Sequence, residues 1–144
     1  MPIKLIEDTH SIMEGLLEPV DFNEEIEENP LYDFYEGRSV AEEQIKVGAQ
    51  EVASFENDIN HSPLLSWHVD FTLFIAPTPT SEGGYALLNL SWDDNYGCWG
   101  WECETALTGA SSMKEAKEYL LGIYKESYIP GAEGEFRKFL ETLS

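Results

Sequence analysis

An α+β fold is the class that this 144-residue chain predicts: a three-stranded antiparallel meander with N-terminal and C-terminal helices packed on it. Three observations carry the expectation. Between residues 67 and 107, apolar and polar residues alternate in three stretches parted by turn chemistry. On either side, apolar residues recur at three- and four-residue steps behind capping-box sequences. Helical and strand patterns are segregated along the chain, which favours helices on one face of an antiparallel sheet.

In chain order, residues 8–17 read as a short helix with Ile12, Leu16 and Leu17 on one side. Ser11 and Glu14 have capping-box spacing, and Asp8 or Thr9 could equally cap it. The pattern breaks from Glu18 to Arg38, an irregular connection crowded with carboxylates and holding Phe22, Tyr32, Phe34 and Tyr35. Ser39 and Glu42 form a second box. After it, Ala41, Ile45, Ala49, Val52, Phe55 and Ile59 have helical spacing, so a second helix is expected to run to about Asn57.

The period then changes to two. Trp67, Val69, Phe71, Leu73 and Ile75 alternate with His68, Asp70, Thr72 and Phe74, as on a half-buried strand. Residues 76–84 are turn chemistry, and Tyr85 to Trp92 follow as a strand with apolar residues on both faces, hence central. After the turn at 93–97, Cys98 to Leu107 should place Trp99, Trp101, Cys103 and Leu107 on one face and Glu102 and Glu104 on the other. Ser112 and Glu115 box the start of a helix whose stripe is Met113, Ala116, Leu120, Ile123 and Tyr124. Pro130 and Gly131 end it, and Phe136, Phe139, Leu140 and Leu143 suggest a last short helix.

One domain spanning 1–144 fits the length, which suffices to bury roughly two-thirds of the unfolded chain's surface without a metal or disulfide staple. No apolar run approaches the roughly 18–20 residues that span a bilayer, and Glu7, Asp8 and Glu14 interrupt any signal peptide. A cytoplasmic location is therefore expected. Cys98 and Cys103 suit a reducing compartment. On one extended strand they would lie on opposite faces, roughly 16 Å apart, too far for a disulfide.

Charge bounds the partners. The chain holds 28 acids against 8 bases, for a formal charge of −20. Between Lys46 and Lys114, 67 consecutive residues lack any lysine or arginine, yet hold all four tryptophans and nine carboxylates. Nucleic-acid binding draws its non-specific affinity from lysine and arginine on phosphate, so neither DNA, RNA nor an anionic membrane is an expected partner. A basic protein, a cation or a neutral molecule is. Glutamate outnumbers aspartate 21 to 7, which is not the bias expected of salt adaptation.

Two patches combine carboxylates with aromatics. Asp93, Asp94, Tyr96, Glu102 and Glu104 surround the tryptophans of the third strand. Glu24, Glu25, Glu27 and Glu28 lie in the acidic connection. Each patch has a plain alternative: a hairpin turn beside core tryptophans, and a solvated loop that serves solubility. In the binding reading, tyrosine and tryptophan anchor while carboxylates receive a partner's arginines. Charge reversal at Asp93 and Asp94 should then weaken binding by more than about tenfold with the fold intact. Gly100, between two tryptophans, marks either a bulge or a close approach to another backbone.

Catalysis has no comparable constellation. Glu102 and Glu104 would sit about 7 Å apart on one strand, a spacing inverting glycosidases use, but catalytic carboxylates face each other across a cleft. His10, His61 and His68 are scattered, and Cys98-x4-Cys103 lacks zinc spacing. Residues 109–113 lack the second glycine of a nucleophile elbow. No enzyme activity, metal or cofactor is expected.

In size, charge and architecture the chain resembles the immunity proteins of bacterial contact-dependent inhibition and related polymorphic toxin systems. The resemblance carries over no individual residue. It implies a protein that neutralises a cognate toxin, often a basic enzyme acting on nucleic acid, by covering its active site. A phage-encoded nucleic-acid mimic that inhibits a host enzyme would share that mechanism. A carbohydrate- or small-ligand-binding domain built on Trp92, Trp99 and Trp101 is the alternative from another class.

Overall fold

The computed structural model describes residues 2–17, 38–39, 41–45, 48–57, 69–78, 83–93, 98–132 and 134–143. The expected irregular connection up to residue 37 and the helix stop around 58–63 lie outside the described residues.

Five strands form one antiparallel sheet: β1 (Lys4–Ile6), β2 (Gln50–Asn57), β3 (Val69–Pro77), β4 (Tyr85–Asp93) and β5 (Cys98–Thr108). Their order is β1-β5-β4-β3-β2. Among the described residues, three α-helices accompany it: α1 (Thr9–Leu16), α2 (Met113–Tyr128) and α3 (Gly134–Thr142). The class is α+β. The expected three-stranded meander is only the β3-β4-β5 centre of a wider sheet.

Two strands replace or add to what the residue pattern predicts. The helix expected to run through 39–57 is a short helical turn at its start and β2 at its end. A bulge explains the error. The β2–β3 register shifts between Glu51 and Ala53, and Val52, Ala53 and Phe55 all pack on the same core. A bulge sets two successive residues against one partner, so the alternation breaks and imitates helical steps. At the start, Ser39 accepts from Glu43 N–H at 3.2 Å, while Glu42 pairs with Arg38 Nε at 3.2 Å rather than boxing a long helix. The second addition, β1, has three residues, too few for any period to register.

Helices cover both faces of the sheet, not one. Alternate residues of β3 divide between two cores: Phe71, Leu73 and Ile75 face α2 and α3, while Ala76 and the half-buried Phe74 face α1. The α2 side is the larger. Ala116, Leu120, Leu121 and Tyr124 line the buried stripe of α2, and each large apolar side chain contributes about 1.5–3 kcal/mol on burial. Phe55 stacks on Phe71 with centroids 5.3 Å apart, and Phe136 and Phe139 of α3 close over them at 5.4–6.1 Å.

Caps and glycines fix the element ends. Asp8 caps α1, accepting from Ser11 N–H at 3.1 Å and Ser11 Oγ at 2.7 Å. Ser112 caps α2 by accepting from Glu115 N–H at 3.1 Å, and the Glu115 carboxylate answers to Ser111 N–H and Oγ. Gly109, between β5 and α2, has φ +86°, and a Cβ there would meet the Pro2 carbonyl at 2.6 Å. Only glycine lets the chain pass so close to the start of β1. No helix of the described residues is long and apolar enough to cross a membrane.

Candidate functional site

The site is built on the outer part of β5. This strand is 11 residues long and pairs with β4 from Cys98 to Leu107. Its register runs without interruption from Cys98 to Cys103, then shifts, leaving Glu104 as the extra residue between Cys103↔Leu88 and Thr105↔Leu87. The bulge corrects the expected face assignment. Trp99, Trp101 and Cys103 pack on the α1 side, as alternation demands, but Leu107 joins the α2 core. Glu102 and Glu104 both lie toward α2.

There Glu104 is held at both oxygens. Asn89 of β4 donates from Nδ2 to Oε1 at 3.0 Å, and Tyr128 of α2 donates its hydroxyl to Oε2 at 3.2 Å. Asn89 is 9% exposed, and its Oδ1 is a buried acceptor with no partner among the described residues. Burial raises the Tyr128 hydroxyl pKa, and the Glu104 charge and hydrogen bond add to the rise, so the phenol stays a donor at neutral pH. Tyr124, 4.7 Å away ring to ring, is pushed up by burial and then by Glu104. Glu102 stays exposed beside this cluster.

On the other side of β5 a cleft of about 340 Å³ opens between the strand and α1. Thr9, His10 and Met13 form the helix wall, and the consecutive residues Trp101 to Glu104 form the strand wall. Four successive residues on one wall mean that the strand presents its edge here. His10 Nε2 lies 3.0 Å from Glu14 Oε1 at the helix surface. Burial, with the Glu104 charge, pushes the Cys103 thiol up to about 12, and the thiol points at the Thr105 carbonyl at 3.6 Å. It is a free, inert thiol at neutral pH.

The described tryptophans, Trp92, Trp99 and Trp101, are engaged by neighbours within the chain. Trp99 is 2% exposed, and the Arg38 guanidinium lies over its ring at 5.7 Å. Trp92 meets Trp99 edge to face at 5.8 Å, and Trp101 donates its indole N–H to the Ala41 carbonyl at 2.8 Å. Arg38 also donates to Thr72 Oγ1 at 2.7 Å, tying the 38–45 segment onto the sheet.

Of the residues singled out from the sequence, Glu102 and Glu104 come together on one side of β5. Asp93 is described through its backbone, opposite Cys98 at the far end of the same hairpin. Asp94, Tyr96, Glu24, Glu25, Glu27 and Glu28 lie outside the described residues. Asn89, Tyr128 and the α1 wall escaped the sequence reading. The signal for Asn89 was present as the one amide in the apolar run 86–90; nothing local announces that Tyr128 reaches β5. Among the described residues, no group of three or more His, Cys, Asp or Glu could hold a metal ion. No protein-family model, curated protein or solved structure matches the chain.

Proposed function

We propose that the protein is an immunity protein, neutralising a basic, nucleic-acid-targeting toxin by covering its active site with acidic and aromatic residues. The observation that supports the reading best is the coupling of a −20 charge to a rim of β5 where Glu102 is exposed and Glu104 is fixed in place by Asn89 and Tyr128. Carboxylates held this way imitate the phosphates that a basic cleft binds. The long-range field speeds encounter, by about 10- to 1000-fold in steered associations, and ordered anchors slow departure. Asp93, Asp94 and Tyr96 are proposed to contribute to the same binding surface. Glu24, Glu25, Glu27 and Glu28 are proposed as a second patch, and the complex forms in the cytoplasm.

A small ligand stacked between tryptophans gains no comparable support, because Trp99 is core and Trp101 is spent on Ala41.

The test is affinity capture from source-cell lysate at low salt with high-salt elution, beside an unrelated protein of equal negative charge. A stoichiometric basic protein absent from the control is expected, with the Asp93→Lys, Asp94→Lys double variant binding it more than about tenfold less tightly. Capture of only the polyanion binders that the control also collects would contradict the reading. A captured host defence enzyme would replace the toxin with a nucleic-acid mimic's target.

A further inference from the structure

We infer that the outer edge of β5 from Gly100 to Cys103 receives an extended strand from the partner, one that alternates basic and apolar residues. The inference rests on the proposed binding of a basic protein and specifies how that protein is held.

The geometry begins with an edge that no described strand pairs and that faces α1 across the cleft. β1 covers only the last three residues of β5, through Ile6↔Ala106, Leu5↔Leu107 and Lys4↔Thr108. Among the described residues, nothing pairs with the outer side of Gly100 to Cys103, although this stretch keeps regular register with β4. An exposed, regular edge is a ready template for another strand, and proteins usually blunt it. On β5 the bulge at Glu104 comes only after this stretch and separates it from the part that β1 occupies. By contrast the opposite edge strand, β2, carries its bulge at Val52 within the strand, and α3 packs against it.

Gly100 supports the same conclusion. It sits in register opposite Ser91 with no bulge, and its φ is not positive. A Cβ there would meet nothing within 4 Å, so no neighbour described in this chain requires a glycine. The open space above it leaves room for a backbone from outside to approach closely.

The two sides of the edge then define the occupant. Toward α2 an incoming strand meets the Glu102 and Glu104 carboxylates and the Tyr128 hydroxyl. Toward α1 it meets Met13, Trp101 and Cys103 in the cleft. Because side chains alternate along a strand, the complementary sequence sets Lys or Arg at every second position and Val, Ile or Leu between them. Charge complementarity selects a basic strand over a second copy of this acidic chain.

The probe is a synthetic octapeptide alternating Lys and Val, titrated against 15N-labelled full-length protein. Two controls carry the same charge: a block peptide of four Lys then four Val, and the alternating peptide N-methylated at every second amide. The alternating peptide should slow amide exchange within residues 100–103 and shift their resonances. Both controls should bind at least about fivefold more weakly, and Glu102→Gln should cost the alternating peptide about fivefold. Glu102 is exposed, so that variant folds. Equal binding of all three peptides, or protection confined to other residues, would overturn the inference.

Its failure is distinct from that of the functional reading. A basic partner captured from cells that leaves 100–103 unprotected ends the strand-addition model alone. An edge that takes the peptide in a protein that captures nothing basic ends the immunity reading alone.

Discussion

The two faces of the sheet are held by different means. Toward α2 and α3, Phe55, Phe71, Phe136 and Phe139 make a closed aromatic core, with fully buried Leu73, Ile75, Leu87 and Leu120 beneath it. Toward α1, short pieces are stitched on by single polar contacts: Trp101 to Ala41, Arg38 to Thr72, Leu17 bridging Ile45. The first face rests on burial, which is diffuse. The second buries smaller apolar clusters around Leu16, Leu88 and Leu90, adds a few directional bonds, and leaves a cleft beside β5. Binding surfaces come from the less stable part of a fold, and here the acidic edge lies between the firm core and the stitched one.

Substitutions can break this contrast, and the largest effect belongs to the aromatic face. Phe71→Ala should cost about 3–5 kcal/mol in urea unfolding, because the rings packed around it cannot collapse into the space. A loss under 1 kcal/mol would mean that this core is loosely packed. Next comes the seam joining β1 to the sheet. Gly109→Ala must abandon φ +86° or push Pro2 away, at about 1–3 kcal/mol, and should expose the β1 amides to exchange while leaving α2 unchanged. On the α1 face, Trp101→Phe removes one indole hydrogen bond and should cost about 1 kcal/mol, with exchange rising in the 41–45 turn rather than in α2.

The smallest effects are pH-linked. Asp8 is lowered from 3.8 by the hydroxyl and amide of Ser11, so its contribution is present above that value and is lost as pH falls through the lower folded value. Amide protection factors at the start of α1 should fall under acid in the wild type and stay unchanged with pH in Asp8→Ala. Cys103 runs the other way. Its thiol is raised from 9.0 to about 12, so the stability it lends is complete below pH 9 and disappears between 9 and 12. In a Cys98→Ser background, alkylation of Cys103 should be slow at pH 8 and accelerate only across that window; fast reaction at pH 8 would show an open cleft wall.

Much of the fold was legible where one physical rule dominated. Alternation located β3, β4 and β5 within two residues at their starts and ends, and Ser112 with Glu115 located the start of α2. Legibility failed where two rules competed. The bulge at Val52 turned a strand into helical spacing, and the bulge at Glu104 moved Leu107 to the other face. Neither bulge is signalled by a glycine. The site was half legible: Glu102 and Glu104 stand out in a stretch without cations, whereas Tyr128 approaches Glu104 only because α2 lies across β4 and β5.

The most direct test of the account is titration of the captured basic partner into wild-type protein and into Glu102→Lys, at 50 and 200 mM salt. The acidic edge predicts at least about tenfold weaker binding by the variant, with most of the wild-type advantage lost at the higher salt. Equal affinities at both salts would contradict it, and would place the partner on another surface of the molecule.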